Sequence, residues 1–111
     1  MRHAVLKDMV KGWFVGDFTP AAVQCKDAEV AIKHYKAGDC EDLHHHRIAT
    51  EITVVVAGEV EMLGRRWGEG DIVVIEPGEA TAFAALSDSI TVVVKLPSVA
   101  GDKYAGAWVR P

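Results

Sequence analysis

Five residues between Gly38 and Gly58 constrain this chain more than any other feature. They stand as Gly38-x5-His44-x-His46-x4-Glu51-x6-Gly58. Side chains alternate along a strand with period two, so His44 and His46 project from one face of an extended segment and His45 from the other. Glu51 lies five positions past His46 and cannot join them on one straight strand. Arg47-Ile48-Ala49-Thr50 must bend the chain, and Glu51 then approaches from the adjoining strand. Two imidazoles and a carboxylate brought together this way form a 2-His-1-carboxylate set. Such a set is a known scaffold for Fe(II), Zn(II) or Mn(II).

The chain around this run is punctuated as a series of short strands. Ala28 to Lys36, Leu43 to Arg47 and Glu51 to Ala57 read as extended, the third rich in β-branched residues and expected to be buried on both faces. Val60 to Leu63 and Arg66-Trp67 form a hairpin around Gly64-Arg65. Ile72 to Ile75 is a short apolar strand ending at the sharp turn Pro77-Gly78. Thr81 to Leu86 and Ile90 to Leu96 form a last pair, closed by Pro97. Turn signals every eight to twelve residues, with no long amphipathic helix, predict an all-β sandwich or barrel. The tail, Ser98 to Pro111, is expected to pack on a barrel face or a partner subunit.

The chain has 111 residues, half of them hydrophobic, which predicts one domain with a real core. Its formal net charge of −4 argues against nucleic acid or an anionic membrane as partner. No secretory apolar region opens it, and no apolar run approaches the ~18 residues of a transmembrane helix. Cys25 and Cys40, without a CxxC pairing, are expected to be free thiols of a cytoplasmic protein.

The spacing from Gly38 to Gly58 resembles the first signature motif of the cupin family, small β-barrels of jelly-roll topology. All five motif positions match. The second cupin motif is met in part: Gly70-Asp71 precedes the strand Ile72 to Ile75, and Gly78 stands at the motif glycine. Glu76 holds the motif proline position, Thr81 the histidine position and Ala85 the asparagine position. The resemblance covers roughly residues 28–97 and implies an antiparallel double-stranded β-helix of the RmlC-like kind. It also implies that the fourth metal ligand is missing, which weakens metal binding and leaves a coordination position open for water or substrate.

Three functions are compatible with these residues. In the first, His44, His46 and Glu51 hold a divalent transition metal (Fe, Zn or Mn) in an oxygenase, lyase or isomerase acting on a small polar molecule. In the second, a metal-free sugar or nucleotide-sugar isomerase or epimerase uses His44 and His46 as acid–base groups. The third is a non-catalytic binding or sensor module. Thr81 and Phe83 are expected to line the cavity. On the strand before the motif, either His34 or the Lys33-Tyr35 pair faces inward. Val30 and Ile32 favour the His34 face, and His34 and Tyr35 are both candidate acid–base residues. The resemblance also implies a homodimer, for which Trp13-Phe14 is a candidate contact.

Overall fold

The computed structural model describes residues 1–109; Arg110 and Pro111, the end of the predicted tail and domain, lie outside the described residues. Eleven strands follow one 3-10 turn at Leu6–Asp8. They are β1 (Trp13–Gly16), β2 (Val23–Gln24), β3 (Glu29–Tyr35), β4 (Cys40–His45), β5 (Thr50–Ala57), β6 (Glu59–Met62), β7 (Arg65–Gly68), β8 (Ile72–Ile75), β9 (Ala80–Ala85), β10 (Ser89–Leu96) and β11 (Tyr104–Ala105). Two sheets result, ordered β2-β1-β3-β10-β5-β8 and β11-β4-β9-β6-β7. Every pairing is antiparallel except β1 with β2.

The sheets meet face to face. Val55, Val73 and Ile75 of the first pack on Val60, Met62, Phe83 and Ala85 of the second. Burial of this apolar surface stabilises the fold at roughly 25 cal/mol per Å² removed from water. Polarity changes steeply along the inner face of β5. Thr53 and Val55 are buried below the partly buried Glu51, so one end of the barrel is dry and the other is chemically equipped.

The motif glycines have physical reasons. Gly38 and Gly58 have φ of +94° and +84°, a region costly for any residue with a Cβ. At Gly58 a Cβ would also collide with the Asp88 carbonyl and the Ser89 side chain. The β6–β7 turn falls one residue earlier than its Gly64-Arg65 prediction. Met62 pairs with Arg65, leaving Leu63 and Gly64 as the two-residue loop, both at positive φ as a type I′ turn requires.

Three expectations need correction. β5 is not buried on both faces, because Val56 is 44% exposed and only the inward positions are covered. The inward face of β3 carries Lys33 and Tyr35, while His34 is exposed on the outer face. The apolar Val30 and Ile32 misled because Ile32 is covered from outside, sharing a groove with Leu6, Met9 and Phe14. Trp13 and Phe14 do not form one surface patch either, since Trp13 turns into the cavity and Phe14 lies in that outer groove.

The tail packs back on the barrel. Tyr104 pairs with His45 and Ala105 with His44, adding β11 beside β4.

Candidate functional site

At the polar end the sheets enclose a cavity of about 250 Å³. His44, His46, Glu51, Tyr35, Thr81 and Phe83 all line it, together with Trp13, Lys33 and Lys95. His34, Cys40 and His45 do not. The register of β4 explains part of this convergence. Its pairing with β9 shifts between Glu41 and His44. This irregularity lets Glu41 and His44, three apart, both reach the cavity.

Each histidine of the triplet has one ring nitrogen fixed by a main-chain carbonyl. His44 Nδ1 donates to Asp42 O at 2.8 Å, His45 Nδ1 to Gly106 O at 2.7 Å, and His46 Nδ1 to Asp102 O. A carbonyl only accepts, so the proton sits on Nδ1 and Nε2 keeps its lone pair. That is the tautomer a metal-binding or proton-accepting imidazole needs. In His45 the lone pair is spent, since its Nε2 accepts from Arg47 Nε at 3.1 Å. His46 Nε2 is buried with no hydrogen-bond partner, 3.5 Å from Glu51 Oε1. The His44 and His46 rings lie edge to face, with centroids 5.5 Å apart.

Glu51 is 12% exposed. Burial alone would raise its pKa, but the neighbouring His46, the charge of Lys95 and the Thr53 hydroxyl outweigh it and hold the carboxyl below its usual value. Thr53 Oγ1 donates to Glu51 Oε2 at 3.1 Å, which leaves Oε1 for His46. The Tyr35 phenol is pushed well up, first by burial and then by Glu41 and Glu51. It therefore stays protonated and available as a donor. Its ring packs on Phe83, centroids 4.5 Å apart.

Thr81 is buried and lines the cavity, opposite His44 in register. Its hydroxyl is occupied. It accepts from Leu63 N–H at 3.0 Å and donates to Ala82 O at 2.7 Å. The expectation of substrate beside Thr81 therefore changes in one respect: the hydroxyl pins the positive-φ Leu63 of the β6–β7 turn.

Asp102 gave no signal in the sequence. Its carboxylate accepts hydrogen bonds from the main-chain N–H groups of Arg47, Ile48 and Ala49, at 2.9 to 3.2 Å. These are residues of the predicted bend between His46 and Glu51. Its own carbonyl holds His46. One tail residue thus fixes both the bend and the imidazole beside it. Arg47 completes the clamp from outside, its guanidinium 3.9 Å from the Tyr104 ring centroid.

The donor chemistry suits a divalent transition metal: two imidazoles with free Nε2, one of them a buried orphan, and an ionised carboxylate. Among the described residues, however, no three His, Cys, Asp or Glu side chains stand close enough together to hold an ion as arranged.

No family model and no curated protein matches the chain in sequence. Solved structures do match in shape. An uncharacterised conserved protein with a double-stranded β-helix domain from Klebsiella pneumoniae superposes with a TM-score of 0.67 at 24% identity, over 75% of this chain and 73% of that one. An RmlC-like cupin from Desulfovibrio desulfuricans gives 0.61 at 22% identity, over 67% and 76%. The chain has the cupin fold. A bacterial pirin from Escherichia coli, in complex with nickel(II), shares this cupin barrel at a TM-score of 0.65 and 20% identity, over 79% of this chain and 39% of the pirin.

Proposed function

We propose that this cupin-fold chain is a metal-dependent enzyme that acts on a small polar molecule in the cavity between its sheets. His44, His46 and Glu51 would hold one divalent transition metal. The observation that carries this reading is His46. Its Nδ1–H is tied to Asp102 O, and its buried Nε2 faces Glu51 without a hydrogen-bond partner. A buried lone pair left unmatched is costly, and a cation would satisfy it. The nickel of the pirin supports the reading by analogy of fold alone.

A bound ion of this kind would supply Lewis-acid polarisation of a substrate oxygen. The rest falls to side chains. Thr53 keeps Glu51 oriented. Asp102 keeps the His46 lone pair aimed inward. Tyr35 presents a phenolic proton to the same space. Phe83 and Met62 wall the cavity from the dry core. At about 250 Å³ the cavity lies below the usual ~300–1,000 Å³ of ligand sites. A small metabolite suits it better than a nucleotide sugar.

One observation favours the metal-free alternative, in which His44 and His46 move protons with Tyr35. It is the separation of the three donors, which do not close around an ion as arranged. Untagged protein titrated with Ni(II), Zn(II), Mn(II) and Fe(II) decides between them. One equivalent bound by wild type and lost in His46→Ala is expected. No binding by wild type would leave only the metal-free reading.

A further inference from the structure

The cavity collects positive charge in an acidic chain. Lys11, Lys33, Lys95 and Lys103 line it against only two carboxylates, Glu41 and Glu51. The whole chain carries a formal charge of −4. Dispersed surface lysines would not concentrate in this way. Nor are these four neutralised, because the two ion pairs within 4.0 Å among the described residues are His46–Glu51 and Arg66–Glu59.

Two of the lysines are built in. Lys33 sits opposite Thr91, Lys95 opposite Glu29, and Trp13 opposite Ala31, midway between the two lysine levels. The ammonium groups reach toward Trp13 from either side, each 5.0 Å from a ring centroid. Cation–π contact holds an ammonium in place without cancelling its charge. Both stems are partly buried, unlike the exposed Lys11 and Lys103. Keeping like charges together at the mouth of a cavity is unfavourable until an anion arrives. Burial and the charge of Lys95 lower the Lys33 pKa, with Glu41 acting against them. Relief of that desolvated charge is what an anion would contribute.

The geometry points to an oxyanion-binding subsite formed by Lys33 and Lys95 on Trp13, so that the ligand of this cavity is a small carboxylate- or phosphate-bearing molecule. The inference rests on reading the cavity as a ligand site; it does not require the metal. The lysines would grip the charged head group and leave the remainder facing His44, His46 and Glu51.

The test is calorimetric titration of EDTA-treated, dialysed full-length protein with succinate, with inorganic phosphate, and with xylitol as an uncharged probe of similar size. Binding of one or both anions, weakened by added salt, and no binding of xylitol are expected. The tighter anion identifies the head group. Lys33→Gln and Lys95→Gln should each weaken it roughly tenfold, the worth of one charge-assisted hydrogen bond. Lys33→Arg, which keeps the charge, should retain most of it. Thermal unfolding of each variant confirms that it is folded. Equal binding of xylitol, or equal losses in folded Lys33→Gln and Lys33→Arg, overturns the proposal. So does anion binding that appears only after metal is restored, which would leave the metal reading standing. Anion binding by protein that takes up no metal would remove the metal and keep this subsite.

Discussion

Asp102 accepts the Nδ1 proton of His46 on its main-chain carbonyl, across 56 residues of sequence. Its carboxylate meanwhile collects the N–H groups of Arg47, Ile48 and Ala49. The side chain and main chain of one residue thus serve two neighbouring parts of the same site. The carboxylate is held below its usual pKa: burial would raise it, but the three main-chain donors and then His46 prevail. Asp102→Ala should leave buried donors unmatched and cost about 1–3 kcal/mol, read as a lower urea midpoint. Metal affinity should fall in parallel, because the bend and the imidazole lose their common anchor.

His45→Ala should separate fold from site. The ring is 1% exposed and lies between the tail and β4, nearly parallel to Tyr104 and Trp108. Removing it opens a cavity under β11 and costs on the order of 2 kcal/mol. Metal uptake by the folded fraction should survive. Loss of metal in His45→Ala with retention in His44→Ala would reverse the assignment of inward faces.

Thr81 is predicted to be a structural residue first. Thr81→Val should strand the Leu63 N–H and lower stability by about 1–2 kcal/mol, measured by denaturant melts. Thr81→His places an imidazole opposite His44 and should raise metal affinity while lowering the melting temperature. A variant both tighter and equally stable would show that the Leu63 hydrogen bond contributes little.

Tyr35 gives a pH dependence with a definite sign. Its pKa is raised in the folded protein above the ordinary 10.0. Stability tied to the protonated phenol is complete below pH 10 and is lost as pH rises beyond it, because the unfolded chain ionises first. Tyr35→Phe should therefore lose less stability than wild type between about pH 9 and 11. Parallel curves for the two proteins would show that the phenol is not held protonated by the fold.

Self-association is predicted through the free edge of the first sheet rather than through Trp13. β8 ends that sheet, and its outward Ile72 and Val74 are 63% and 49% exposed. An edge of this kind is prone to pair with another copy. Sedimentation at micromolar concentration should give a dimer mass, reduced to monomer by Val74→Asp. A monomeric wild type would withdraw the prediction.

What could be read in the sequence was periodic or local. The histidine pair, Glu51 and the strand punctuation each follow from backbone alternation and turn chemistry. The His34 face was misjudged because residue type reports that a position is covered, not by what. Ile32 is covered by the N-terminal segment rather than by the barrel interior. Trp13, Lys33 and Lys95 belong to three different strands, and only their lateral pairing brings them together. Asp102 was invisible for the same reason: an aspartate among small tail residues carries no local mark of what it will hold.

That placement of Asp102 also has a consequence for synthesis. A chain emerging from the ribosome N-terminus first delivers His44, His46 and Glu51 long before the residue that orients them. The barrel strands can begin to pair while the bend at Arg47–Ala49 still lacks its acceptor. The nascent protein therefore cannot present a finished site until the tail is free of the exit tunnel and docked, so competence for ligand is acquired late and in one step.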